Sequence, residues 1–66
     1  MVINERIKEL RIEHGLSQMQ LARLLDMSQS AVAKWELGKT EPTASAIIHL
    51  SRIFCESADY ILGLTD

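Results

Sequence analysis

Apolar positions in this chain recur every three or four residues, and no stretch alternates with period two over a useful length, so the pattern predicts helices throughout. Ile3, Ile7 and Leu10 share one face of a first helix that begins near Val2–Asn4 and runs to His14. Gly15 fits the left-handed residue that closes it, and Leu16 supplies the apolar contact that follows. Ser17 is placed to cap a second helix, with Gln20 three residues on to complete a capping box, and Leu16 with Leu21 to form a hydrophobic staple. Leu21, Ala22 and Leu25 form its inner face, and the helix is expected to stop near Leu25. Only Asp26-Met27-Ser28 separates it from a third helix, capped by Ser28, stapled by Met27 and Val32, turned inward at Val32 and Trp35, and ended by Gly38.

Residues 39–42 form a loop, because the residue before Pro42 is pushed out of helical geometry. Thr43 then caps a fourth helix that presents Ile47, Leu50, Ile53 and Phe54 to the core. Ser57 caps a short fifth helix, Ala58 to Leu62, stopped by Gly63. The expectation is an all-α fold of five short helices in one domain over residues 1–66.

Composition narrows what such a domain can rest on. A 66-residue chain buries only about 60% of the surface that its unfolded form exposes, so its margin of stability is thin. Cys55 is the only cysteine, which excludes a disulfide, and one cysteine with two separated histidines, His14 and His49, makes no zinc site. Packing and self-association remain. No apolar run approaches the ~20 residues of a membrane span, and the opening Met1-Val2-Ile3-Asn4-Glu5-Arg6 lacks the pattern of a signal peptide. The expected location is the cytoplasm. No nucleophile–base pair, glycine-rich phosphate loop or paired carboxylates appear, so an enzyme is not expected, nor any cofactor.

The net charge of −2 argues mildly against a nucleic-acid partner, but its distribution weakens the objection. Residues 1–16 balance to zero, residues 17–40 carry +1 from Arg23, Lys34 and Lys39 against Asp26 and Glu36, and residues 41–66 carry −3. Phosphate affinity follows local charge rather than the total.

The segment 17–38 carries the chemistry. Two short helices joined by a three-residue turn must cross steeply, which leaves one of them prominent at the surface. On the third helix, Gln29, Ser30, Ala33 and Lys34 lie roughly opposite Val32 and Trp35. That outward stripe is small and polar, as required where side chains must reach base edges while the backbone comes close to a major groove. A face built to bind protein would be apolar at its centre.

Taken together, Leu16-Ser17-Gln18, Leu21-Ala22, Leu25, Ser28-Gln29-Ser30, Val32, Trp35-Glu36, Gly38-Lys39, Pro42 and Asp59-Tyr60-Ile61-Leu62-Gly63 resemble the Cro/C1-type (XRE-family) helix-turn-helix domains of bacterial and phage repressors. The resemblance implies a lambda-repressor-like DNA-binding fold with the helix-turn-helix at about residues 17–37, and a regulator, most simply a repressor, that binds a palindromic double-stranded DNA operator. It implies that Gln18 binds a phosphate at a helix start. Ser28 would bind DNA, and Gln29 and Ser30 would face the bases, with Gln29 suited to adenine; Ala33 would meet a thymine methyl, and Lys34 a guanine or a phosphate. Lys39 and Thr40 would contact the DNA backbone, and Arg11 with Glu36 would form an ion pair beneath the phosphate contacts.

Two positions depart from the family pattern. Asp26 stands where glycine is usual, and Leu37 stands where asparagine is common. Both are expected to weaken DNA affinity without abolishing it.

Other features receive plainer readings. Trp35 is expected in the core, and Cys55 as a small buried apolar residue beside Phe54. His14 and His49 are expected at the surface or as caps, and Met1, Met19 and Met27 as start and filler. Leu62 and Leu64 exceed what a short last helix can bury alone, which points to a homodimer contact. The rival reading is an antitoxin or regulatory module that uses the same fold mainly to bind a protein. A regulatory protein partner on the fourth and fifth helices is compatible with DNA binding on the third.

Overall fold

Helix boundaries in this chain are set by local chemistry, and a computed structural model, which describes residues 2–66, shows how each is made. The reading of Met1 lies outside the described residues. Five helices follow in order: α1 (Val2–Glu13), α2 (Gln18–Leu24), α3 (Gln29–Glu36), α4 (Ala44–Phe54) and α5 (Ala58–Leu62), with no strand among the described residues. Four starts are capped by a hydroxyl that accepts an otherwise free backbone N–H: Ser17 from Gln20, Ser28 from Ala31, Thr43 from Ala46 and Ser57 from Tyr60. At Ser17 the box is complete, since the Gln20 side chain accepts the Ser17 N–H at 2.8 Å.

The ends share one device. Each helix closes on a residue in the left-handed region: Gly15, Asp26, Gly38, Cys55 and Gly63. The amide of the following residue then reaches back over the last turn, as in Leu16 N–H to the Arg11 carbonyl at 3.0 Å and Met27 N–H to the Ala22 carbonyl at 2.8 Å. At Gly63 the absence of a side chain also has a packing reason, because a Cβ there would lie 2.8 Å from Val2 Cγ1.

The inward faces meet in one cluster, in which Ile7, Leu21, Val32, Leu50 and Ile61 are essentially sealed from solvent and Leu10, Ala22, Leu25, Trp35, Ala46, Ile47 and Phe54 complete the core. No polar or charged residue is buried among those described. Helix α2 packs on α3, α1 touches both α3 and α5, and α4 packs on α5. Ile53, expected in the core, is only partly covered and packs at its edge. No described helix is long and apolar enough to cross a membrane.

Two expectations are corrected. Cys55 is exposed rather than buried, because it sits one residue past the last turn of α4 with φ of 54°, where the chain turns away from the core. Met27, expected to staple α3 against Val32, is 40% exposed because it follows the left-handed Asp26 in the turn. An L-residue in the left-handed region costs roughly 1–2 kcal/mol that glycine avoids. Cys55→Gly is therefore expected to stabilise the domain by about 1 kcal/mol, raising its melting temperature by roughly 4–8 °C. An unchanged or lower melting temperature by circular dichroism would contradict this account of the turn.

Candidate nucleic-acid interface

The starts of α2 and α3 lie side by side because the turn between them is short and its Asp26 takes a φ of 56°. Aspartate accepts that geometry better than most residues, so the turn survives without the usual glycine. Gln18 is the first residue of α2 and Gln29 the first of α3. Their side chains join directly: Gln29 Nε2 donates to Gln18 Oε1 at 2.6 Å.

Beneath them lies a charged anchor. Arg11 Nε donates to Glu36 Oε2 at 2.6 Å and Arg11 Nη2 to Glu36 Oε1 at 3.0 Å, a two-pronged pair between α1 and the end of α3. Only 13% of the Arg11 side chain and 4% of the Glu36 side chain are exposed. Hydrogen bonding to Glu36, the largest cause, raises the Arg11 pKa against the opposing effect of burial, and the charge of Glu36 adds a smaller rise. A third N–H of Arg11 donates to the Leu16 carbonyl at 2.8 Å, fixing the approach to α2. Glu36 Oε1 also accepts Gln18 Nε2 at 3.1 Å. Arg11, Glu36, Gln18 and Gln29 thus form one continuous series of hydrogen bonds from the interior of the domain to its surface.

The remaining stripe follows from the helical period. Ser30 and Lys34 are exposed on α3, and Ala33 is half-buried between them. Ser28 Oγ lies 3.2 Å from Ser30 Oγ while capping the helix, so the two hydroxyls face the same side. Lys39 and Thr40 are exposed just past α3, where Lys39 N–H donates to the Lys34 carbonyl at 2.9 Å and folds the loop against the helix end. Leu37, 69% exposed, occupies the same end of α3. No group of residues that could hold a metal ion exists among those described.

Two supporting residues carried no signal in the sequence. Asn4 Nδ2 donates to the Glu36 carbonyl at 3.2 Å and lies against Gly38, bracing the end of α3 from α1. Arg6 lies 4.2 Å from the centre of the Tyr60 ring and donates to the carbonyls of Tyr60 and Thr65, clasping α5 to α1. His14 is a surface residue whose Nδ1 meets the Leu10 carbonyl at 2.9 Å while its ring lies 5.1 Å from that of Phe54. Leu62, the last residue of α5, and Leu64, just past its closing Gly63, are both exposed, the latter by 73%.

The chain is similar in sequence and in fold to proteins already known. The chain is 36% identical over 62 residues to the HTH-type transcriptional regulator YobD of Bacillus subtilis, covering 94% of this chain and 55% of that protein. It is 37% identical over 63 residues to the HTH-type transcriptional activator BcrR of Enterococcus faecalis, covering 96% and 31%. It is 31% identical over 61 residues to repressor protein C2 of Salmonella phage P22, covering 92% and 28%. The chain therefore spans about half or less of the length of these relatives. In three dimensions it matches the P22 c2 repressor, crystallised in complex with a synthetic operator, with a TM-score of 0.86, 30% identity and 92% of each chain covered. Its fold is that of the lambda-repressor-like DNA-binding domains. The family model for the helix-turn-helix matches residues 7–61, nearly the whole of this five-helix unit, and the chain belongs to that helix-turn-helix family.

Proposed function

We propose that this domain binds double-stranded DNA in a sequence-specific way and regulates transcription as a repressor, with α3 lying in the major groove. The carrying observation is the outward face of α3, small and polar, with Gln29 tied to Gln18 at the start of α2 and anchored through Glu36 to Arg11. The P22 relative was crystallised on a synthetic operator, and the likeness of the two folds supports the same mode of docking here. Gln18 meets a phosphate at the start of α2. Ser28 binds DNA at the start of α3, Gln29 and Ser30 face base edges, Ala33 offers its methyl group to a thymine methyl, and Lys34 reaches a guanine or a phosphate. Lys39 and Thr40 hold the DNA backbone beyond α3. The protein works in the cytoplasm, and this one domain carries the DNA contacts.

A palindromic operator fits a homodimer. The longest dimension of the domain is 28 Å, shorter than the roughly 34 Å between half-sites one DNA turn apart. One copy cannot fill both, and the exposed Leu62 and Leu64 supply an apolar contact for a second.

Selection of bound sites from a random duplex library tests the reading, run in parallel with the Gln29→Ala/Lys34→Ala variant. The expected result is a palindromic motif recovered only by the parent. Gln29→Ala alone is expected to cost about 1–3 kcal/mol at one base position. No enrichment, or equal enrichment by both proteins, refutes the assignment of α3. A single unpaired half-site, with a monomer in sedimentation, refutes the dimer.

A further inference from the structure

We infer that Glu36 is a positioning residue that sets the donor–acceptor order of Gln29, and thereby makes the domain prefer adenine to guanine at the base pair Gln29 faces. The inference rests on the DNA-binding reading above. A carboxylate can only accept hydrogen bonds. The Glu36 carboxylate, its side chain almost wholly covered and paired to Arg11, therefore meets Gln18 only through the amine end of its amide, at 3.1 Å. Gln18 must then turn its carbonyl oxygen to Gln29, which meets it with its own amine at 2.6 Å.

The consequence falls on Gln29, whose side chain is exposed. An isolated glutamine turns its amide over freely and can offer either end to a partner. Here a turned amide would set oxygen against oxygen, at Gln18 or at Glu36. One amine hydrogen of Gln29 is taken by Gln18, which leaves its Oε1 and one N–H for a ligand. That pair matches adenine, which shows an N7 acceptor beside an N6 donor, and conflicts with guanine, whose N7 and O6 both accept. Once released, the amide could turn over and give both amine hydrogens to guanine. The fixed charge thus selects the base without touching it.

The test compares affinities for two operators that differ only by adenine or guanine at the position that Gln29→Ala identifies. Glu36→Gln keeps the size of the side chain but can donate as well as accept. It is expected to lower the adenine-to-guanine preference by about tenfold, the span that one bidentate base contact provides. Arg11→Met/Glu36→Leu removes the carboxylate without stranding a charge and is expected to do the same, which covers a Glu36→Gln chain that fails to fold. A merely structural role would lower the melting temperature and weaken both operators equally. An unchanged preference in a folded variant of either kind, with the preference lost in Gln29→Ala, overturns the role of Glu36. Preference intact in Gln29→Ala as well overturns the reading of Gln29 on which it stands.

Discussion

Trp35→Ala is expected to cost about 3–5 kcal/mol of folding stability, the range for removing a large aromatic side chain from a packed interior. Trp35 is buried on α3 within the cluster that also holds Val32, Leu10 and Phe54. A domain of 66 residues has a total stability of roughly 3–10 kcal/mol at the usual 0.05–0.15 kcal/mol per residue. One substitution therefore removes about 30% or more of what holds the chain folded. Each kcal/mol moves the melting temperature of so small a domain by roughly 4–8 °C, so circular dichroism should show a drop of more than about 12 °C. Operator DNA should restore part of it, since a ligand that binds only the folded state stabilises that state. A melting temperature within a few degrees of the parent would mean that α3 is not anchored through this ring.

The same residue shows why the interior was legible in the chain. Val32 and Trp35 are three apart, and Ile7 and Leu10 repeat that spacing on α1. Period alone therefore picked them out, and no long-range information was needed. The helix starts were equally local: a hydroxyl that caps the amide three residues on is written in the sequence at Ser17, Ser28, Thr43 and Ser57.

Cys55 failed for a related reason. Its residue type favours burial, but its position one step beyond α4 decides its exposure, and that position depended on a left-handed turn built without glycine. The supports of the candidate interface are long-range. Asn4 and the Glu36 carbonyl are 32 residues apart, Gln18 and Gln29 are 11 apart, and no local pattern reports such a meeting. Arg11 and Glu36 were paired by family resemblance alone; the structure adds that their carboxylate continues into Gln18, which the resemblance did not contain.

Arg11→Ala is expected to cost about 2 kcal/mol, below the roughly 3–5 kcal/mol for breaking a fully buried ion pair because this pair is only part-buried. The loss comes less from the attraction removed than from the state left behind. Glu36 would keep the Gln18 amide but lose two N–H donors while its side chain stays almost wholly buried, and the Leu16 carbonyl would lose a donor as well. Arg11→Met/Glu36→Leu removes both charges, and apolar replacement of a buried pair is often neutral or better. The double variant is therefore expected to melt within a few degrees of the parent, while the single variant melts far below it.

The dependence on pH is distinctive too. A group whose folded-state pKa lies above its unfolded value stabilises fully below the unfolded value and loses that share as pH rises through the folded one. Arg11 is such a group, so the share carried by its ionisation should be present in neutral solution and lost only in strong alkali. A single variant as stable as the parent would show that the pair carries no stability. A double variant as unstable as the single one would show that the cost lies in lost packing rather than in a stranded charge. If the double variant is stable yet reads guanine as readily as adenine, the pair is present for recognition: the domain keeps a charge in its interior because only an acceptor fixed there holds Gln18 and Gln29 in one order.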